Sequence, residues 1–388
     1  MNAEWSTAEF EDCIEPVEYT RKIQRNEFLE SGRFPVISQE SAFINGYWDD
    51  EADVFAVRTP VVLFGDHTKS LKYVDFDFVL GADGVKVLRP RPFLLPKFFY
   101  YALQSVELGS LGYARHYRLL KERQISWPER DEQQRIVAVL DEAFAGIAAA
   151  RANAERNLGN ARALFEESAR RAFSTSSNAW PRAPLSQFCT AVSTGPFGSM
   201  LHKSDYVADG VPLVNPINIV GGEIVPDWSK CVGAEAQQRL RAYSLRRGDV
   251  VIGRRGEMGR CAVVGENEAG WICGTGCFFV RPAAAVDPDF LAALLRSPEY
   301  RSRLEAESSG ATMPNLSNRT LADLTVAVPD AAEQAAVLSV LQRASRAVDQ
   351  LEDVYQRKLA ALDELKRSLL HHAFTGQLTA RAAAATPP

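Results

Sequence analysis

Between the apolar runs Val250-Val251-Ile252 and Cys261-Ala262-Val263-Val264 the chain inserts Gly253-Arg254-Arg255-Gly256-Glu257-Met258-Gly259-Arg260. Arginines can grip phosphates or the O6/N7 edge of guanine, and glycines let a backbone come close to its ligand. The counterpart is Gly65-Asp66-His67-Thr68-Lys69-Ser70-Leu71-Lys72, after the apolar run Val61-Val62-Leu63-Phe64. Its candidate contacts are His67, Lys69 and Lys72; those of the arginine loop are Arg254, Arg255 and Arg260. The alternative for each segment is an ordinary solvated hairpin. Gly112-Tyr113-Ala114-Arg115-His116-Tyr117-Arg118 mixes basic and aromatic groups, and Asn315-Leu316-Ser317-Asn318-Arg319 occupies the mirrored position. Asn315 or Asn318 can pair bidentately with adenine, while Arg115, His116, Arg118 and Arg319 supply charge. Either segment could instead cap the entry to the helix that follows. His202 and Lys203, after Gly195-Pro196-Phe197-Gly198-Ser199, are further candidates for a phosphate or base contact.

Groups for bond-making chemistry are sparse. Asn215-Pro216-Ile217-Asn218 is faintly similar to the Asn-Pro-Pro-aromatic motif of amino-methyltransferases, but it lacks the second proline and the ring. No glycine-rich strand–turn–helix fingerprint precedes it, and no GxxxxGK[ST] phosphate loop occurs, so nucleotide-driven translocation is not encoded. Cys273 and Cys277, four apart, could start a zinc site. Zinc normally takes four such ligands, however, no histidine or second cysteine pair stands nearby, and Trp271-Ile272-Cys273 reads as a buried strand. His371 and His372, adjacent on a helix, diverge. The expectation is a chain with no catalytic residues, cofactor or metal of its own.

The bulk numbers fit that reading. A chain of 388 residues suggests two or more domains, and 46% hydrophobic with 24% charged residues is a globular balance. No apolar run is long enough for a membrane helix. The opening MNAEWSTAEFEDCIEP is acidic and lacks the apolar stretch of a signal peptide, so a cytoplasmic protein without a membrane partner is expected. Six cysteines in so long a chain do not make a disulfide framework. The net charge of −5 argues against a general nucleic-acid binder while allowing positive charge concentrated on one face.

An internal repeat positions these segments. ISWPERDEQQRIVAVLDEAF returns as VAVPDAAEQAAVLSVLQRAS, with Pro128, Glu132 and Gln133 against Pro329, Glu333 and Gln334; the offset 329 − 128 = 201 holds to Phe173 and Phe374. Apolar or small residues at Ile136, Leu140, Ala143, Ile147, Ala150, Ala154, Leu158 and Ala161 match Val337, Leu341, Ala344, Val348, Leu351, Tyr355, Leu359 and Leu362. Steps of four and three with one extra four are a coiled-coil seam carrying a stutter. The two long helices are therefore expected to pair with each other. Each follows a block with short β-like runs, and these blocks echo one another: Val62–Gly65 with Val250–Gly253, Leu88-Arg89-Pro90 with Val280-Arg281-Pro282, and Pro96 with Pro288. The fold class is α+β, with a first mixed domain at 1–128, a central helix at 129–175, a second domain at 176–328 and a C-terminal helix at 329–379. Ser174–Asn178 is a polar linker, and 380–388 is a low-complexity, disordered tail.

GDHTKSLKYVDFDFVLGADGVKVL, GPFGSMLHKSDY, GVPLVNPINIVGGEI, GDVVIGRRGEMGRCAVV, NLSNRTLADLTVAVP and LLHHAFTGQL, set in this doubled plan, resemble the specificity subunit of type I restriction-modification enzymes over nearly the whole chain. The resemblance implies two target-recognition domains, each reading one half of a split, asymmetric DNA site. It also implies an antiparallel, pseudo-twofold coiled coil that sets the half-site spacing. The implied partners are double-stranded DNA, two adenine-methyltransferase subunits and restriction/translocase subunits. S-adenosylmethionine, ATP and magnesium would belong to those partners. One departure is the opening EPVEYTRKIQRNEF, where the second domain has GPFGS. A helix from about Asp131 to Phe173 would extend roughly 60 Å at ~1.5 Å per residue, on the scale of one to two DNA turns. The alternative is a free-standing DNA-binding regulator or scaffold that dimerises through its coiled coil.

Overall fold

A computed structural model describes residues 5–82, 84–109, 115–174, 179–197, 200–308 and 315–378. The linker 175–178, the tail from 379 and Gly112-Tyr113-Ala114 lie outside the described residues. The chain forms two compact units, one of residues 1–155 with 356–388 and one of residues 156–355. No helix among the described residues is long and apolar enough to cross a membrane.

Both units carry the same antiparallel four-stranded sheet. In the first the order is Ile14–Glu15, Val85–Pro90, Val61–Gly65, Leu71–Val74; in the second it is Cys189–Thr194, Cys277–Pro282, Val250–Gly253, Cys261–Val263. The central strand of each is apolar throughout because both its faces are covered. Val62 and Phe64 pack toward helix Pro96–Ser105, whereas Val61 and Leu63 face a second core. In the other unit Val250 and Ile252 lie in the core with Phe290, Leu291 and Leu294 of helix Pro288–Arg296, and Val251 lies in the opposite one. The second core of each unit includes a parallel strand pair, Phe34–Ile37 with Phe78–Gly81 and Val211–Val214 with Ile272–Cys273. Ribbons Ser6–Glu9 with Gln124–Trp127, and Arg182–Pro184 with Thr325–Ala327, tie each unit's entering strand to the strand before its long helix.

The repeated glutamines have a physical reason. Gln133 is buried; its Oε1 accepts from Leu95 N (2.8 Å), and its Nε2 donates to Phe93 O (2.9 Å) and Pro128 O (3.0 Å). Gln334 repeats the clamp on Asp287 N (2.8 Å), Ala285 O (3.0 Å) and Pro329 O (2.8 Å). Leu95 and Asp287 are the N-caps of the proline-led helices. One side chain thus satisfies backbone groups at two element ends, where helices leave donors unpaired.

The long helices span Arg130–Ser174 and Ala331–Phe374. Within the first unit Arg151 pairs with Asp363, and within the second Arg162 pairs with Glu352 at 2.7 Å. In the first unit the Lys366 ammonium also lies over the Phe144 ring at 5.1 Å, so moving forward along one helix moves backward along the other and the pairing there is antiparallel. Ala154 and Ala161 are buried in the first seam, as its small side chains require. The second seam corrects one expectation: Leu351 is 37% exposed, and Glu352 is half-buried in its place. From Val348 the seam steps four residues to Glu352 and three to Tyr355, which moves the doubled four-step from Tyr355 to Val348, seven residues earlier than the sequence spacing suggests. The helix ends close the cores: Phe173 meets Phe290 and Trp180 in one unit, and Phe374 meets Phe98 in the other.

Candidate nucleic-acid interface

In the second unit the arginine loop caps the central sheet strand. Gly253 N donates to Arg260 O (2.8 Å) and closes the loop; Gly256 and Gly259 take positive φ, where a Cβ would strain. Met258 is buried and anchors the loop in the core. Arg254 lies over the Phe278 ring at 5.6 Å, and its Nε donates to Asn315 Oδ1 at 3.2 Å. Its backbone is held on both sides, by Gly276 O (2.9 Å) and by Leu316 N (2.9 Å), and Arg255 bridges Asn315. Two segments singled out in the sequence, 253–260 and 315–319, therefore meet. Burial first, then the charge on neighbouring Arg255, pulls the Arg254 guanidinium below its ordinary pKa. A guanidinium stays charged all the same, so this is a field that a bound anion would relieve. Arg255 is exposed; Arg260 pairs with Glu257 and donates to Pro216 O at 3.2 Å. Asn318 and Arg319 are exposed on the short helix Asn318–Asp323, capped by Ser317, with Arg319 3.4 Å from Asp323.

The first unit builds the equivalent junction from different residues. Gly65 N donates to Ser70 O (2.8 Å), and Lys69 takes φ +59° in the turn. Asp66 O accepts from His116 N at 2.8 Å, as Arg254 O accepts from Leu316 N, and Asp66 Oδ1 accepts from Tyr117 N at 2.8 Å. His67 is half-buried, with its N–H on Gln39 Oε1 (3.1 Å), and Lys69 Nζ reaches Leu108 O (3.5 Å). Arg115 and Arg118 are exposed beside the junction.

Two expected contacts are corrected. Lys72 is buried, its ammonium held by Ser38 O (2.8 Å), Ala42 O (2.5 Å) and Asn45 Oδ1 (3.3 Å); burial lowers its pKa. His116 is buried with Nδ1 3.1 Å from Asp66 O. Both are fasteners of loops, because their polar atoms already point into the protein. His202 and Lys203 are exposed on a separate 3-10 turn, where His202 N donates to Asp205 Oδ2 (2.7 Å) and Asp205 pairs with Arg239 (2.6 Å).

Asn215-Pro216-Ile217-Asn218 is not built as a methyl-transfer motif. Asn215 N donates to Asn218 Oδ1 at 3.0 Å, and Asn218 Nδ2 to Val225 O at 3.0 Å, so both asparagines hold the turn's own backbone. The glycines around it were missed. A Cβ on Gly195 would lie 2.0 Å from Gly274 O, and one on Gly274 2.3 Å from Asn215 Oδ1, so these loops close-pack only as glycine. Gly-Thr-Gly between two apolar strands was the available signal. Cys273 and Cys277 are buried, and burial pushes both thiols up, away from the thiolate a metal needs. Among the described residues no cluster of His, Cys, Asp and Glu has the makings of a metal site.

The chain is a duplicated α+β fold that carries unlike polar loops on like scaffolds. Residues 215–358 match the type I restriction modification DNA specificity domain. The EcoBI specificity subunit of Escherichia coli is 24% identical over 195 residues, covering 48% of this chain and 40% of that one. The StySPI specificity subunit of Salmonella potsdam is 22% identical over 205 residues, covering 52% and 43%. The chain thus spans about two fifths of the length of these curated relatives. Among solved structures, a chain of a type I R-M system, studied for its complex assembly and conformational transition, superposes with TM-score 0.71 at 17% identity over 96% of this chain and 98% of that one. The HsdS subunit of Thermoanaerobacter tengcongensis gives 0.54 at 18% identity over 96% and 97%. Residues 215–358 thus carry a type I restriction-modification DNA specificity domain, about half of the chain is similar to curated specificity subunits, and the whole chain shares the fold of these solved structures.

Proposed function

We propose that this chain reads DNA for a type I restriction-modification complex and catalyses nothing itself. One half of a split, asymmetric duplex site is read by each target-recognition domain, 1–128 and 176–328. The helical segments 129–175 and 329–379 hold those domains and carry two adenine-methyltransferase subunits. Cleavage and translocation fall to restriction subunits, and S-adenosylmethionine, ATP and magnesium are used by the partners in the cytoplasm. The observation that carries this reading is the repeated junction: Asp66 with His116, and Arg254 with Asn315 and Leu316, the same backbone bridge bearing unlike polar groups. Like scaffolds suit the near-twofold backbone of DNA, and unlike groups suit unlike half-sites. Within the second domain the contacts we assign are Arg254, Arg255, Arg260, Asn315, Asn318 and Arg319, with His202 and Lys203 on a neighbouring turn. In the first they are His67, Lys69, Arg115 and Arg118.

A second feature supports paired copies of one partner. Val139 and Val340 are 39% and 38% exposed, and Leu164 and Leu365 are 55% and 47% exposed, each pair 201 residues apart. A regulator dimerising through its coil would need a free seam, whereas here Arg151–Asp363 and Arg162–Glu352 tie the seam within the chain.

The test is a tagged chain expressed in its native cells. An adenine methyltransferase should co-purify, and genome-wide mapping should lose methylation at one bipartite motif when the chain is deleted. Recovery of no methyltransferase, with an unchanged methylation map, would refute the proposal.

A further inference from the structure

In both units the loop leaving a parallel strand packs on the turn that caps the central sheet strand. In the first, Thr68 Oγ1 and Ser70 Oγ donate to Gln39 O at 2.6 and 2.8 Å. In the second, Arg260 donates to Pro216 O, and the Pro216 ring sits over Gly276, where a Cβ would lie 2.7 Å away. Each of these packed loops lifts apolar side chains into solvent: Phe43 and Ile44 in the first, and Ile217, at 74% exposure, in the second. Ile217 is held out by construction. Its 3-10 turn, Pro216–Asn218, is closed by Asn218 N on Asn215 O (2.8 Å), and buried Asn218 is tied down by Val225 N on its carbonyl (2.7 Å). In the first unit the ammonium of Lys72 fastens the corresponding loop.

An isoleucine so exposed adds almost nothing to folding. A turn braced to present it serves a contact. Arg260 touches the same turn, and Arg254 and Arg255 share its loop, so the occupant carries anionic groups close to an apolar one. Duplex DNA offers that pairing where phosphates flank a thymine, whose 5-methyl lies in the major groove. We propose that Ile217 reads a thymine methyl in the half-site of the second domain, that Phe43 and Ile44 do so in the first, and that Asn218 and Lys72 are positioning residues. This rests on the DNA-reading proposal above. A protein surface would meet the apolar tip while setting its own low-dielectric face against the arginines, so the polyanion is favoured.

The test uses the full chain with its co-purified methyltransferase. The bound motif is first selected from a randomised duplex pool, and each thymine of the half-site is then replaced by deoxyuridine. One replacement should weaken wild-type binding about fourfold, the worth of one methyl. Ile217→Ala should bind about tenfold more weakly and be indifferent to that replacement, while Ile217→Val keeps the penalty. The unfolding midpoint of Ile217→Ala should match wild type. If Ile217→Ala retains every deoxyuridine penalty, or the half-site has no thymine in either strand, the inference is overturned. If Ile217→Ala loses the methyltransferase but keeps its DNA preference, the side chain is a protein contact and the inference is likewise overturned. If wild type selects no motif, the DNA-reading proposal itself fails, a result distinct from all of these.

Discussion

Arg254→Ala is the most informative single change at the proposed interface. The side chain stacks over Phe278 and donates to Asn315 Oδ1, so its charged end is aimed before any ligand arrives. An aimed guanidinium loses little rotamer freedom on binding, and a bidentate base contact of this kind is worth about 1–3 kcal/mol, roughly 5- to 150-fold in affinity. If the contact is to a base, Arg254→Ala should weaken binding within that range and relax the preference at one position of one half-site. If it is to a phosphate, all sequences should weaken alike, and the slope of log K against log salt should fall by about 1. Asn315→Ala separates aim from charge: it keeps the guanidinium but frees it, so a partial loss of affinity with an unchanged salt slope is expected. The assay is fluorescence anisotropy of the selected duplex from low to high salt, with circular dichroism to verify the fold. Unchanged affinity and unchanged selectivity for Arg254→Ala, in a folded protein, would refute the assignment of this loop to DNA.

Three further outcomes are expected. Gln334→Ala, by removing a buried side chain that holds Asp287 N and the Ala285 and Pro329 carbonyls, should destabilise the second unit by about 3 kcal/mol; urea unfolding with hydrogen exchange should localise that loss there, and Gln133→Ala should do the same to the first unit. Lys72→Met should loosen residues 38–45 and impair one half-site only, read by hydrogen exchange and methylation assays. Because burial lowers the Lys72 pKa, the unfolded chain binds more protons between that lowered value and the ordinary one; wild-type stability should rise with pH across this alkaline window, and the rise should vanish in Lys72→Met. Leu164→Asp and Leu365→Asp should each leave the unfolding midpoint nearly unchanged, within about 0.5 kcal/mol for an exposed site, while native mass spectrometry reports loss of one methyltransferase copy.

The sequence was most legible where one side chain's role is local. Apolar central strands, proline-led helices and the helical register follow from periodicity, and the doubled Pro–Gln spacing located both clamps without revealing what they clamp. Long-range polar burial was not legible. Lys72 is drawn inward by carbonyls some thirty residues earlier in the chain, though its parity with buried Val74 on strand Leu71–Val74 was a usable hint. His116 fits a basic, aromatic surface loop by composition, yet its ring bonds to Asp66 O fifty residues away. Leu351 was misplaced because hydrophobicity ranks leucine above glutamate for a seam. The actual step to Glu352 is supported by Arg162, a partner 190 residues distant.

The junctions also explain how unlike polar groups can share one fold. What ties each arginine- or histidine-bearing loop to its neighbour is chiefly main chain: His116 N on Asp66 O, Leu316 N on Arg254 O, Arg254 N on Gly276 O. Main-chain bonds do not depend on which side chain each residue bears. Buried Leu316 and Met258 carry the packing, leaving Arg255, Asn318 and Arg319 exposed and unconstrained by the core. Exchange of those exposed residues should therefore change what is bound while leaving stability within about 0.5 kcal/mol, whereas Leu316→Ala should cost about 2–5 kcal/mol and blur recognition by loosening the loop. Equal stability of Leu316→Ala and wild type in urea would show that the loop is fastened by something other than this junction.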